Sequence, residues 1–307
     1  MHKIKYDLIT ILGPTACGKT KFAANLSARI NGEIISADSR QVYRKMNLGT
    51  GKDYDDYIVE GKRIPYHLVD ILEPGYKYNV YEFQKHFLEA YIEIKARENM
   101  PVLCGGSGMY IDAVTKGYRL MHVPQNKRLR KNLESKSLKE LSGILSTYKK
   151  LHNITDIDTR KRAIRAIEIE EYYKSGRIPE HNYPKINNIF FGIKLEVITR
   201  RERISSRLHE RLKSGMVEEV QNLLKEGLGA EDLIYYGLEY KYITQYITGD
   251  LDYDTMVEKL NTAIQQFAKR QMTWFRKMER EGARIHWLDG NMPLEEKIRR
   301  TLKLVII

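Results

Sequence analysis

An α/β fold of the phosphate-loop NTPase type, a parallel sheet core carrying a helical insertion domain, is what this sequence predicts. Three observations predict it. Short apolar runs of strand length alternate with helical stretches through the first third of the chain. The first run, Leu8-Ile9-Thr10-Ile11-Leu12, stops at Gly13-Pro14 and opens the pattern G-x-x-x-x-G-K-[ST] over residues 13–20. After Gly117 the alternation gives way to a basic, helical stretch and resumes at Ile189. The expected division is a catalytic core at 1–117 and 188–307, with an insertion at 118–187.

Each element has its own signal. Leu8–Leu12 is apolar throughout, as a strand covered on both faces must be. Ile34-Ile35-Ser36, His67-Leu68-Val69-Asp70 and Val102-Leu103-Cys104 read as further strands. Over 81–97 the residues Phe83, Phe87, Tyr91 and Ile94 recur at i, i+4, i+8 and i+11, which predicts a helix with one apolar face. Beyond the insertion, Ile189-Phe190-Phe191-Gly192-Ile193 reads as a strand. One long helix is expected over 201–225, with Ile204, Leu208, Leu212, Val220 and Leu223 inward. Another is expected over 255–281, with Leu260, Ile264, Phe267, Phe275 and Met278 on one face, and Ile285-His286-Trp287-Leu288 as a last strand.

The composition, 42% hydrophobic and 30% charged over 307 residues, is that of a globular protein and excludes disordered, collagen-like and disulfide-stapled classes. The two cysteines, Cys17 and Cys104, lie far apart without metal-ligand spacing, so a reducing compartment is expected. With no signal-peptide layout and no apolar run near the ~20 residues of a membrane span, a cytoplasmic monomer without a membrane partner is expected. Charge is more informative. Residues 1–115 carry 15 basic and 14 acidic side chains, residues 116–217 carry 24 and 11, and residues 218–307 carry 13 and 15. The basic excess is regional, which suits a polyanion such as nucleic acid; a solvated helical surface is the plainer alternative.

Three loops carry chemistry. Gly13, Pro14, Thr15, Ala16, Cys17, Gly18, Lys19 and Thr20 form a phosphate loop between a strand and a helix. There backbone N–H groups and the helix N-terminus wrap a phosphate chain, Lys19 adds a charge, and Thr20 can ligate Mg²⁺. Such a loop grips any diphosphate. An apolar strand ending in Asp, the usual metal partner of a hydrolase, has only His67–Asp70 as a candidate, and a core strand with a polar end is the preferred reading of it. Ser36-Ala37-Asp38-Ser39-Arg40-Gln41-Val42-Tyr43-Arg44 follows the second strand. Residues just past a strand's carboxyl end face the ligand crevice, so Asp38 is placed as a general base or as a helix N-cap. Cys104-Gly105-Gly106-Ser107-Gly108-Met109-Tyr110 follows a third strand, where glycines allow close backbone approach and Ser107 offers a hydroxyl. Arg207 and Arg211, one helical turn apart, are candidates to hold diphosphate across the crevice.

Together, residues 13–20, 36–44, 65–70, 105–117, 162–168 and 267–276 resemble the tRNA dimethylallyltransferase (tRNA isopentenyltransferase) family, in the family's order and over nearly the whole chain. The resemblance implies transfer of a dimethylallyl group from dimethylallyl diphosphate to the exocyclic amine of the adenine 3′ to a tRNA anticodon, with Mg²⁺. Asp38 matches the family's base, and Ser107 stands where the family usually has Thr. Asp38, Ser39, Arg40, Gln41 and Ser107 match positions that contact the target nucleotides. In the insertion, Arg130, Lys161, Arg162, Ala163, Ile164 and Arg165 match positions that touch tRNA of the anticodon stem-loop. The chain departs from the family at 49–54 (Gly-Thr-Gly-Lys-Asp-Tyr) and at 235–240 (Tyr-Tyr-Gly-Leu-Glu-Tyr). The competing readings are an enzyme that prenylates free adenine nucleotides, a phosphate-loop small-molecule kinase, and a non-catalytic RNA-binding module. The first has no need of the basic region, the second none of residues 267–276, and the third leaves a complete phosphate loop idle.

Overall fold

The structure is a computed structural model that describes residues 4–150, 157–176 and 183–306. It divides into two compact units, Met1–Tyr118 with Pro184–Ile307, and Arg119–Tyr183.

The larger unit is built on a six-stranded sheet. Its strands are β1 (Leu8–Leu12), β2 (Gly32–Ser36), β5 (Tyr66–His67), β6 (Met100–Gly105), β7 (Asn188–Lys194) and β8 (Ile285–Asp289), with a small hairpin of β3 (Ile58–Val59) and β4 (Lys62–Arg63) apart from it. The order is β5-β2-β6-β1-β7-β8, and every neighbouring pair is parallel. β1, β2 and β6 are buried along their whole length, which is why they read as unbroken apolar runs. Register then decides where the loops fall. Leu12 pairs with Gly105, and Ser36 with Cys104, so the chain leaves β1, β2 and β6 at one level of one sheet edge.

The helices of this unit are α1 (Lys19–Ile30), α2 (Val80–Ala96), α3 (Gly108–Thr115) and, after the smaller unit, α7 (Val197–Lys213), α8 (Met216–Lys225), α9 (Ala230–Tyr235), α10 (Leu238–Ile247), α11 (Tyr253–Arg280) and α12 (Leu294–Val305), of which α1, α2 and α3 pack on the sheet. α2 opens on a capping box of Asn79 and Glu82 and buries Phe83, Phe87 and Ile94. Three local expectations are corrected. The helix expected over 201–225 is two helices, because Gly215 at φ 98 caps α8 in the left-handed region. The strand expected at 67–70 ends at His67; Leu68 (φ 61) and Asp70 (φ 56) turn away. Phe267 is not inward but 39% exposed.

The smaller unit contains α4 (Lys127–Leu133), α5 (Leu138–Ser146) and α6 (Arg160–Lys174). Asn126, Ser137 and Thr159 cap them through side-chain oxygens. Leu133, Leu141, Leu145, Ala163, Ala166 and Ile167 form its core.

Candidate active site

Because β1, β2 and β6 are parallel and adjacent through β6, the three loops read from the sequence meet at one carboxyl edge. The phosphate loop leaves β1 at Gly13, where an added Cβ would come within 2.5 Å of the Ile193 carbonyl of β7. Gly18, at φ 82, turns the chain into α1. Lys19 Nζ donates to the Pro14 carbonyl at 2.9 Å. Gly13, Pro14 and Cys17 are buried; Thr15, Ala16, Gly18, Lys19 and Thr20 line a cavity of about 740 Å³.

Asp38, Ser39, Arg40, Gln41 and Ser107 line the same cavity. Asp38 Oδ1 accepts the Arg40 backbone N–H at 2.8 Å, a local turn that leaves Oδ2 without a hydrogen bond among the described residues. Ser107 Oγ accepts the Ser39 N–H at 3.4 Å, and the Ser107 N–H donates to the Ala37 carbonyl at 3.3 Å, which joins the loop after β6 to the loop after β2. Gln41 donates to the Gly51 carbonyl at 3.1 Å and accepts from Ser36 Oγ at the same length.

Arg207 and Arg211, from α7, complete one wall. Arg207 donates to Thr15 Oγ1. Burial, then the charge of Arg211, push its guanidinium down to about 10. Arg211 grips both carboxylate oxygens of Asp53 at 2.9 and 3.0 Å.

Sequence reasoning missed several lining residues. Gln271 of α11 accepts the Thr15 N–H at 2.9 Å and donates to the Gly106 carbonyl at 3.0 Å, joining the phosphate loop to the glycine loop. One turn on, the Trp274 ring lies against Gly108, whose added Cβ would meet it at 2.2 Å, and its indole N–H donates to buried Asp112 at 2.9 Å. Residues 267–276 are therefore the helical brace of the site. Asp53, Asp56 and Glu239 add carboxylates to the lining. Burial raises the Glu239 carboxyl, and burial together with Asp53 raises that of Asp56.

The stretches 49–54 and 235–240 touch each other. Gly49 has no room for a Cβ, which would stand 2.7 Å from the Tyr240 ring. Tyr240 donates to Glu219 at 2.6 Å, and Glu219 accepts the backbone N–H groups of Asn47, Leu48 and Gly49 at 2.8, 2.8 and 3.1 Å. Asp70 belongs to this support: it accepts from buried Lys52 and, at 2.6 Å, from Tyr54. It is not among the cavity-lining residues.

The family model described as IPP transferase matches residues 41–278. The chain belongs to the IPP transferase family. It is 58% identical over 301 residues to tRNA dimethylallyltransferase 2 of Phocaeicola vulgatus, covering 98% of each chain. To the protein of the same name from Bacteroides fragilis it is 61% identical over 293 residues, covering 95% of this chain and 96% of the other. The crystal structure of the full-length tRNA isopentenylpyrophosphate transferase from Bacillus halodurans superposes with a TM-score of 0.71 at 30% identity, over 98% of this chain and 95% of that one. The IPP transferase match begins after the phosphate loop and Asp38, and these relatives extend over both.

In the smaller unit the expected tRNA-contact residues divide. Lys161 and Arg162 are exposed on α6, Arg162 paired with Asp158. Ala163 is fully buried, and Ile164 packs against the unit's core. Arg130 binds Glu168 through two hydrogen bonds of 2.9 and 2.8 Å. Arg165 donates to the same carboxylate and, at 2.8 Å, to the Val123 carbonyl. Burial raises the Glu168 carboxyl, but these hydrogen bonds outweigh it and hold it near 2. Residues 119–183 carry 15 basic against 8 acidic side chains, so the regional excess is shared with α7 of the larger unit.

Proposed function

We propose that this protein transfers the dimethylallyl group of dimethylallyl diphosphate to the N6 amine of the adenine 3′-adjacent to the anticodon of tRNA, releasing diphosphate. The observation that carries this reading is the meeting of the phosphate loop, Asp38 and Ser107 in one cavity. The relatives named tRNA dimethylallyltransferase support it along the chain's length.

The adenine amine is a weak nucleophile because its lone pair is delocalised into the ring. Asp38, with Oδ2 unengaged, accepts the amine proton as the nitrogen bonds to the allylic carbon. The carbon–oxygen bond to diphosphate breaks, and the electron pair leaves on oxygen. The loop amides, Lys19, Thr15 and Arg207 meet that developing charge. Ser107 and Ser39 hold the adenine against Asp38. Flipping a base out of its stack costs a few kcal/mol, least in an unpaired loop, which suits an anticodon loop.

The donors present fit Mg²⁺. Thr20 and the cavity carboxylates are hard oxygen ligands, and no cluster of three or more His, Cys, Asp or Glu able to cage a metal occurs among the described residues. Thr20 would be the protein ligand of an ion held beside the substrate phosphates. When bound, it neutralises diphosphate charge. Lys161 and Arg162, exposed on α6, are assigned to tRNA. Among the described residues no helix is long and apolar enough to cross a membrane.

The test is incubation with Mg²⁺, radiolabelled dimethylallyl diphosphate and either unmodified tRNA or AMP. Label on a tRNA adenine is expected. Label in AMP alone moves the protein to nucleotide prenylation, and ATP consumption without transfer overturns the reading.

A further inference from the structure

α7 carries arginines at 200, 203, 207 and 211. The spacing i, i+3, i+7, i+11 puts them in one stripe about 80° wide and roughly 16 Å long. The inner two are committed: Arg207 to Thr15 of the phosphate loop, Arg211 to Asp53. The outer two are not. Arg203 lines the cavity, yet its guanidinium donates to a neutral amide oxygen, Asn291 Oδ1, at 3.0 Å. Beside it Lys297 is buried and donates to the neutral carbonyl of Gly290 at 3.1 Å.

Arg200 is half-buried and has no carboxylate partner among the described residues. The charged side chains acting on it are the cations Arg201 and Arg276, and burial with these two neighbours lowers its guanidinium from the usual value. Arg201, Arg203 and Arg276 are exposed and Asp289 acts on Lys297, so half-buried Arg200 is the cation with like charge around it, and a group of like charges favours an anion. The stripe leads from half-buried Arg200, outside the cavity lining, to Arg203, Arg207 and Arg211, which line it.

We propose that Arg200 and Arg203 form an outer anion-binding site for the diphosphate group, which receives the prenyl diphosphate before the phosphate loop does and releases the diphosphate product. The proposal rests on the reading of the cavity as a prenyl diphosphate site. A track of like charge leading to a narrow site raises the local concentration of the oppositely charged ligand and steers its approach.

The experiment compares the full chain with Arg200→Gln and Arg200→Lys. It measures initial rates against dimethylallyl diphosphate and against tRNA, together with calorimetric titration of inorganic diphosphate. In Arg200→Gln the KM for the donor and the Kd for inorganic diphosphate are expected to rise about fivefold, with kcat within about twofold and the KM for tRNA unmoved. Arg200→Lys is expected to recover most of both. The donor dependence of the wild-type protein on ionic strength is expected to be steeper than that of Arg200→Gln. A rise in the KM for tRNA with donor KM fixed would give these arginines to RNA phosphates and overturn the proposal, as would no change in any constant. Should the wild-type chain fail to prenylate tRNA, the reaction falls. The calorimetry still decides the anion site, and an unaltered diphosphate affinity in Arg200→Gln overturns it separately.

Discussion

The side-chain oxygen of Gln271 accepts the backbone N–H of Thr15 at 2.9 Å, across 256 residues of sequence. Its amide nitrogen simultaneously donates to Gly106 at 3.0 Å. One buried amide thus sets the distance between the loop that would hold diphosphate and the loop that carries Ser107. An amide suits this task because it offers an acceptor and a donor on one rigid plane.

Gln271→Leu removes both bonds at nearly constant size and strands an N–H and a carbonyl in the cavity floor. A stability loss of about 2–4 kcal/mol is expected in urea unfolding. The donor kcat/KM should fall with it. Gln271→Glu keeps the acceptor for Thr15 but sets a carboxylate against the Gly106 carbonyl, so it should behave like Leu rather than like wild type. A Glu variant with full stability would show that only the Thr15 bond matters.

Asp38→Asn retains an oxygen for the Arg40 N–H, so the turn after β2 should persist. What the variant loses is the proton acceptor. Turnover is expected to drop by ~10²–10⁴, while tRNA and donor binding stay near wild type. Single-turnover rates measured with saturating substrates separate the two. Near wild-type turnover would remove Asp38 as the base.

Local chemistry made the phosphate loop and the motifs after β2 and β6 legible in the sequence, and the parallel sheet brought them together as such sheets do. Gln271 lies in the stretch 267–276, but its bridging role was not legible, because its partners lie on other elements. Phe267 was misread for a related reason: it falls in the apolar stripe of α11, but the helix is long enough for its middle to pass the cavity. Arg130 and Arg165 show what a charge count leaves out. Both counted toward a basic region, and each, partly exposed, is also paired with buried Glu168 of the small helical unit. Asp70 closed an apolar run and looked like a strand end, whereas its left-handed backbone turns the carboxylate onto Lys52 and Tyr54.

Glu33 gives the fold an acid sensitivity. Burial alone would raise its carboxyl, but hydrogen bonds from Arg97, Asn99 and His67 prevail and hold it near 2, against an ordinary 4.5. A group depressed in the folded state stabilises above its unfolded value and loses that contribution as pH falls through the folded one. Stability should therefore decline between about pH 4.5 and 2. Glu33→Gln should flatten the decline and cost on the order of 1–2 kcal/mol at neutral pH. Urea midpoints measured across that range check both. An unchanged acid limb in the variant would assign the sensitivity to other carboxylates, of which Glu168 is the next candidate.

Gly49 and Tyr240 form the last testable pair, since their contact joins the stretch 49–54 to α10. A Cβ at Gly49 would meet the Tyr240 ring at 2.7 Å, and the ring is fixed by its bond to Glu219. The ring is fully enclosed and cannot swing aside, so Gly49→Ala should cost about 1–3 kcal/mol. Tyr240→Ala removes the obstacle at the expense of a cavity and of one bond to Glu219. The double variant should then be more stable than the sum of the single losses implies, by 0.5 kcal/mol or more, roughly the coupling expected of contacting residues. Strict additivity would mean that the loop relaxes independently of α10. The loop also carries Asp53, the partner of Arg211, so Gly49→Ala should raise the KM for the prenyl diphosphate in step with its loss of stability.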